Sequence, residues 1–361
     1  MSRTVVVGAG VVGLACALAL RKRGDDVMVL DKGEPGGGCS RGNTGWVVPS
    51  FSTPLPEPGL VWRSLRWMFR ADSPLYIAPS AAPKLALWLW RFWRHCNAAD
   101  YLSGVAALAA ANATTMELYD ALLRDGVRFE MHRNGLLFVF LSEQSQREAL
   151  DDLQVLVRYG YRMPELLMGR ELRAFEPALA ENVKVGLWLE TERHVRPETL
   201  SAGLVDRLQT LGVEIRAGVE VLRAAGGKGR LRALRTADTE LAADRFVLAA
   251  GAWSGLLARA LGCPLPVQAG KGTASRSQRR VARWCAGPCI SARPTWPSPR
   301  SMEASGSQGR WSFRGSTSGW MGAGLWASER RCSDISAWRR RRSTEAPSGW
   351  GCGRSRRTGS P

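Results

Sequence analysis

The stretch TVVVGAGVVGLACALALRKRGDDVMVLD, residues 4–31, decides how this chain folds. Residues 4–7 are a short, apolar, β-branched run, the pattern of a strand buried on both faces of a parallel sheet. Gly8-Ala9-Gly10-Val11-Val12-Gly13 follows, and then a helical stretch to Arg23. Arg21, Lys22 and Arg23 fall in its last turn, where cations suit the helix dipole, and Gly24 is a natural left-handed stop. Residues 27–30 read as a second buried strand, and Asp31 ends it.

Strand, turn, helix, strand and acid in this order form a complete dinucleotide-binding unit. Gly8 permits the tight turn, Gly10 lets a pyrophosphate approach the backbone, and Gly13 lets helix and strand pack closely. The free N–H groups at the helix start receive phosphate oxygens. Asp31 lies 18 residues after Gly13, where its carboxylate binds a ribose hydroxyl pair and repels a 2′-phosphate. FAD and NAD both fit this reading; NADP is disfavoured.

The rest of the composition is divided by position. At 361 residues the chain can hold one large or two ordinary domains. Its net charge of +18 suggests a polyanion binder only until it is mapped. Residues 271–361 carry 18 Lys and Arg against 4 Asp and Glu, whereas residues 1–270 carry 32 against 28. The basicity is local, so no specific nucleic-acid partner is expected. The eight cysteines show no paired spacing, which points away from a disulfide framework and towards a reducing cytoplasm. The apolar amino-terminal run is cut by Gly8, Gly10 and Gly13, which argues against a secretory signal. No stretch is apolar for the roughly 18 residues that a spanning helix needs.

After the second strand the strand–helix alternation stops. "CSRGNTGWVVPSFSTPLPEPGL" (39–60) is polar and glycine-rich and then proline-rich. Much later, "ADRFVLAAGAWSGLLARALG" (243–262) supplies a strand, a turn at Gly251 and a new helix. With Ser40-x-x-Asn43-Thr44-Gly45, "AAGAWS" (249–254), "HVRPETL" (194–200) and "PVQAGKG" (266–272), the chain resembles the glycine/D-amino-acid oxidase family of flavoproteins. Within that family the small-subunit-type D-amino-acid dehydrogenases are the nearest likeness, over roughly residues 3–272.

The resemblance implies FAD as cofactor. It places Asn43, Thr44 and Gly45 by the isoalloxazine ring, Val221 on a strand with its backbone at the adenine, and Gly251 beside the cofactor. Lys32, Ser40 and Ala250 complete the cofactor set with Gly8, Ala9, Gly10, Val11, Val12, Gly13 and Asp31. It implies oxidation of the Cα–N bond of a D-amino acid to a 2-oxo acid and ammonia, with electrons passed to a quinone or other acceptor. Glycine, sarcosine or hydroxyproline oxidoreductases of the same family are the alternative, and an inactive fragment is a second. No catalytic residue is assigned. The family's carboxylate-holding cation comes from the carboxy-terminal half, where this sequence departs from the pattern.

Between these motifs, Leu85, Trp88, Leu89 and Phe92 follow helical i, i+3, i+4, i+7 spacing, with Trp90, Trp93, Arg91 and Arg94 falling largely elsewhere. This is read as a core helix with aromatic edges; an interfacial helix at an anionic membrane is the other reading. Residues 101–125 read as one long helix closed by Gly126, and residues 127–142 as a hairpin around Arg133-Asn134-Gly135. Residues 200–211 read as a helix and 213–221 as a strand. His95, His132 and His194 share no ligand spacing, so no metal is expected, and His194 is read as a surface turn residue.

Residues 272–361 contain 17 arginines, no lysine and no tyrosine, and only Val281, Ile290, Leu325 and Ile335 as branched aliphatics. Such a segment cannot bury a core that offsets chain entropy. Back-translation two bases out of frame lets residues 272–275 conceal YSL, which completes a family-like GKGYSL. At the same offset residues 307–324 can conceal TGTLEFSGVNLRMDGRR, and residues 349–361 VGMRPLTPDGLP. A frameshift just after Lys271 accounts for all three. The architecture expected is therefore α/β, with a doubly wound (Rossmann-like) FAD-binding domain from residues 1–46 and 191–271. An α+β substrate domain is inserted at 47–190, and an aberrant tail at 272–361 does not fold natively. Weak FAD binding and low turnover follow from the lost segment. The expected place is the cytoplasm, with peripheral contact on the inner face of the cell membrane left open.

Overall fold

The computed structural model describes residues 2–62, 64, 75–77, 82–177, 179–227, 230–270, 289–292, 303–304 and 311–313. In chain order the strands are β1 (Arg3–Val7), β2 (Asp26–Leu30), β3 (Trp46–Val47), β4 (Leu75–Ile77), β5 (Met131–His132) and β6 (Leu136–Phe140). They continue with β7 (Glu165–Met168), β8 (Val185–Leu189), β9 (Arg193–Val195), β10 (Glu214–Arg216), β11 (Arg223–Gly227) and β12 (Arg230–Arg235). The last are β13 (Glu240–Ala242), β14 (Arg245–Leu248), β15 (Cys289–Ala292), β16 (Glu303–Ala304) and β17 (Trp311–Phe313). The helices are α1 (Val11–Lys22), α2 (Ala82–Arg94), α3 (Ala98–Asn112), α4 (Thr115–Arg124), α5 (Glu143–Val157), α6 (Gly169–Phe175), α7 (Pro197–Thr210) and α8 (Ser254–Ala260).

The amino-terminal reading is found as a parallel sheet in the order β10-β2-β1-β14. Its inner strands are buried on both faces, and the two faces have different partners. Val6, Val27 and Val29 pack with Leu14, Ala17 and Leu18 of α1 and with Leu200, Leu204 and Leu208 of α7. Val5, Val7, Met28 and Leu30 pack instead on Val221, Leu234 and Leu241, beneath the antiparallel sheet β11-β12-β13. Strand β14 returns from over 200 residues away to pair with β1, Val7 opposite Leu248. The doubly wound unit is thus closed by the segment that carries the "AAGAWS" turn.

A second, mixed sheet has the order β16-β15-β6-β8-β7. Every residue of β6 is buried, with Leu137 and Val139 on one side and Leu136, Phe138 and Phe140 on the other. That explains why the expected hairpin does not form. A strand buried on both faces needs a ladder on each edge, and β6 finds β8 and β15 while β5 pairs with β9. Arg133-Asn134-Gly135 is a corner between two sheets, with Gly135 at φ +69° against the Trp188 ring.

Two more expectations are corrected. The helix foreseen over 101–125 is broken in two between Asn112 and Thr115. The strand foreseen over 213–221 ends at Arg216, because Gly218 turns the chain at φ +72°. Val221 consequently lies in the connection to β11, buried against the sheet rather than paired within a strand. The stripe on α2 is found as read: Leu85 is buried, and Trp88, Leu89 and Phe92 are half-buried. The tail read as a shifted frame lies outside the described residues apart from β15, β16 and β17.

Candidate dinucleotide site and its support

The glycine turn is held by contacts that leave no room for a side chain. Gly8 has φ +109°, and a Cβ there would stand 2.3 Å from the Ala249 carbonyl oxygen. A Cβ on Gly13 would stand 1.8 Å from the carbonyl oxygen of Gly8. These distances are backbone to backbone, so no side-chain rotation can relieve them. Gly8 N–H donates to the Leu30 carbonyl at 2.7 Å, and Ala249 N–H to the Val7 carbonyl at 2.8 Å. The turn is therefore fixed between β1, β2 and the end of β14. Ala250 and Gly251 sit just beyond Ala249, opening the short 3-10 turn Gly251–Trp253 that leads to α8.

Asp31 is placed at this turn by its chain position and held by its neighbours. Its Oδ2 accepts from Ala9 N–H at 2.7 Å and its Oδ1 from Gly33 N–H at 2.8 Å. Each carboxylate oxygen keeps further lone-pair capacity, which suits a hydroxyl pair. Lys32 stacks its ammonium over the Trp253 ring, 4.4 Å from the centroid, and a Cβ on Gly38 would also touch that ring. Val219 N–H donates to the Asp31 carbonyl at 2.8 Å, which brings the Val221 segment to the same end of β2.

Ser40 joins the turn from 29 residues away. Its Oγ accepts from Val11 N–H at 2.9 Å, and a Cβ on Gly10 would lie 3.0 Å from it. The first N–H groups of a helix have no partner within the helix, so this hydroxyl stands where an anion oxygen can also bind. The glycine cradle, the helix start, Asp31 and Ser40 fit a dinucleotide.

Asn43, Thr44 and Gly45 form a second group on the same loop. Asn43 Oδ1 accepts from Gly45 N–H at 2.8 Å, and its Nδ2 donates to the Cys39 carbonyl at 3.0 Å. Gly45 has φ +71°, and its carbonyl accepts from Val195 N–H at 2.8 Å. Residues 192, 194 and 195 grip this loop, which their sequence alone does not reveal, while Arg193 turns to α4. Glu192 Oε1 accepts from the Ser50 hydroxyl at 2.5 Å. Arg193 donates to Asp120 at 2.7 and 3.1 Å, and that hydrogen bond holds the Asp120 carboxyl below its usual range.

His194 is not a turn residue: it lies on β9, opposite Trp46 on one side and His132 on the other. Its ring stacks on His132 at 5.8 Å. Burial lowers its pKa, His132 adds to that, and a hydrogen bond with the Thr44 backbone opposes both. Glu192 was missed because an acid between two short strands ordinarily reads as a solvated turn; here it is 2 % exposed. Burial pushes its carboxyl up to about 7 against the opposing Ser50 hydrogen bonds.

Ser40→Ala removes the acceptor of Val11 N–H, so it is expected to destabilise the protein by about 1 kcal/mol, the ordinary worth of a helix cap. Urea unfolding of the two proteins without added nucleotide measures it.

The chain is similar to several known proteins. The family described as DAO, FAD dependent oxidoreductase, matches residues 3–330. A D-amino acid dehydrogenase of Chromohalobacter salexigens is 33% identical over 276 residues, covering 75% of this chain and 66% of that protein. One from Bradyrhizobium diazoefficiens is 31% identical over 276 residues, covering 75% and 65%. The chain thus spans just under two thirds of the length of these relatives. The crystal structure of a glycine oxidase from Geobacillus kaustophilus shares the fold at a TM-score of 0.61 and 19% identity, over 93% of this chain and 79% of that one. The glycine cradle, Asp31 and the returning strand β14 stand within the matched residues: the chain belongs to the DAO family of FAD-dependent oxidoreductases.

Proposed function

We propose that this chain is built for FAD-dependent oxidation of the Cα–N bond of a D-amino acid. The observation that carries this is the cradle at Gly8, Gly10 and Gly13 facing Asp31 and the start of α1, in a chain whose relatives are named D-amino acid dehydrogenases. The α1 start with Val11, Val12 and Ser40 would hold the pyrophosphate, and Asp31 the ribose, with Lys32 alongside. Val221 would meet the adenine, Ala250 and Gly251 would flank the cofactor, and Asn43, Thr44 and Gly45 would face its ring. When bound, the flavin supplies the hydride acceptor for the substrate Cα. The chain's own part is to orient the amine and carboxylate; as a hydride leaves Cα and a proton leaves the amine nitrogen, the Cα–N bond becomes an imine, which takes up water to give a 2-oxo acid and ammonia. Residues 1–46 with 191–271 make the cofactor unit in this reading, and residues 47–190 the substrate unit.

Titration with FAD and dye reduction with D-alanine test this directly. The outcome expected is weak FAD binding and slow turnover. Asp31→Asn should weaken FAD at least about tenfold, because an amide arm turns a donor towards Ala9 or Gly33 N–H and loses the charge-assisted bonds. Faster turnover of glycine or sarcosine than of D-alanine would select the alternative amine oxidoreductase reading, which the shared glycine oxidase fold favours.

The slow turnover expected rests on the reading of residues 272–361 as a shifted frame. Resequencing the gene around codons 268–275 checks it: an uninterrupted frame there removes the reason for impairment.

A quinone pool would be reached through peripheral membrane contact. Among the described residues no helix is long and apolar enough to cross a membrane. Helix α2, however, exposes Leu87, Trp90 and Trp93. Arg94 lies over the Trp90 ring at 5.1 Å, and Ala82–Arg94 contains no acid. Exposed indoles beside arginines suit an anionic lipid surface, and Leu87 offers nothing to a nucleic acid. Co-sedimentation with phosphatidylcholine vesicles should rise when phosphatidylglycerol is included, and fall severalfold in Trp90→Ala/Trp93→Ala. Equal binding by both proteins would remove α2 from the interface.

A further inference from the structure

The loop that carries Asn43, Thr44 and Gly45 runs on through β3 into the 3-10 turn Pro49–Phe51. Its far end is fastened at one buried polar point. Ser50 is 4 % exposed, and both its hydroxyl and its N–H donate to Glu192 Oε1, at 2.5 and 3.4 Å. Glu192 Oε2 is buried and has no hydrogen-bond partner among the described residues. Among the described residues no cation pairs with this carboxyl. The polar groups that act on it are Ser50, from the Pro49–Phe51 turn, and Tyr161, from the loop before β7. Arg193, next along the chain, is committed to Asp120, and His194 to Thr44.

We infer that Glu192 is a positioning residue for the flavin-facing loop, which it latches through Ser50 in its protonated form and releases on ionisation. The chemistry follows from donor counting. A neutral carboxyl needs only the Ser50 donors on Oε1, and the protonated Oε2 leaves a neutral group unpartnered. An ionised carboxylate leaves a charged oxygen buried without a donor, which is far costlier. The sign is set by the raised value of the folded state, about 7 against an ordinary 4.5. Between those values the closed loop holds a proton that the open loop has lost, so closure weakens as pH rises through this window and levels off above it. The inference deepens the FAD reading, since it concerns the loop placed there at the flavin ring, but the latch itself involves protein groups only.

Amide hydrogen exchange of peptides covering residues 43–51, corrected for intrinsic rates, tests it on the full chain without FAD. From about pH 6 to about pH 8 loop opening should increase about tenfold in the native sequence. Glu192→Gln copies the neutral carboxyl, with an acceptor for Ser50 and no charge, and should show no such rise. Ser50→Ala should open the loop at both values. FAD affinity, measured by flavin fluorescence quenching, should follow the same profile, falling with pH in the native sequence and staying flat in Glu192→Gln. Parallel exchange profiles in the native sequence and Glu192→Gln would overturn the latch. Divergent exchange with parallel FAD profiles would overturn its role at the flavin. Divergent exchange with no FAD binding in any variant would uphold the latch and refute the FAD reading instead.

Discussion

Backbone contact at Gly13 is the constraint on which the rest depends. With the Gly8 carbonyl oxygen 1.8 Å from where a Cβ would be, α1 can lie on β1 only because position 13 has no side chain. That contact aims the helix start at the turn, where its N–H groups meet an anion. It also lets β14 come in beside β1, so that Ala249 closes over Gly8. One close approach thus fixes the N–H groups of the helix start, the sheet edge and the position of the Ala250-Gly251 turn together.

The loop from Ser40 to Phe51 is secured differently, by polar contacts to residues distant in sequence. Ser40 is tied to Val11, Gly45 to Val195, Thr44 to His194 and Ser50 to Glu192. Residues 192, 194 and 195 all hold this loop, while Arg193 between them holds Asp120 on α4. Backbone packing and polar clamping answer different needs. The glycine turn is rigid because backbone packs on backbone there, whereas the loop is held by groups whose charge responds to their surroundings. Glu192, buried and with Oε2 unpartnered among the described residues, is one of these groups.

The dinucleotide unit was legible because its information is local. Glycine positions, short apolar strand runs and an acid at a set spacing need no knowledge of the remainder of the chain. The α2 stripe of Leu85, Trp88, Leu89 and Phe92 was legible for the same reason. Two of the readings that failed depend on distant partners. Residues 127–142 have the alternation and the Asn-Gly turn of a hairpin, yet β5 and β6 join different sheets because β6 is buried on both faces. Likewise His194 looked like a turn residue until Trp46 and His132 were seen on either side of it.

By itself the sequence determined the doubly wound start and its dinucleotide character, since residues 4–31 contain the glycines and the acid of the cradle. Only the tertiary structure decided that Ser40 caps α1, that β14 completes the sheet, and that Glu192 is buried against Ser50. The reason is physical. A glycine is informative wherever it stands, because the absence of a Cβ is a property of the residue. The state of a carboxyl is a property of its surroundings, and those are assembled from segments more than a hundred residues apart.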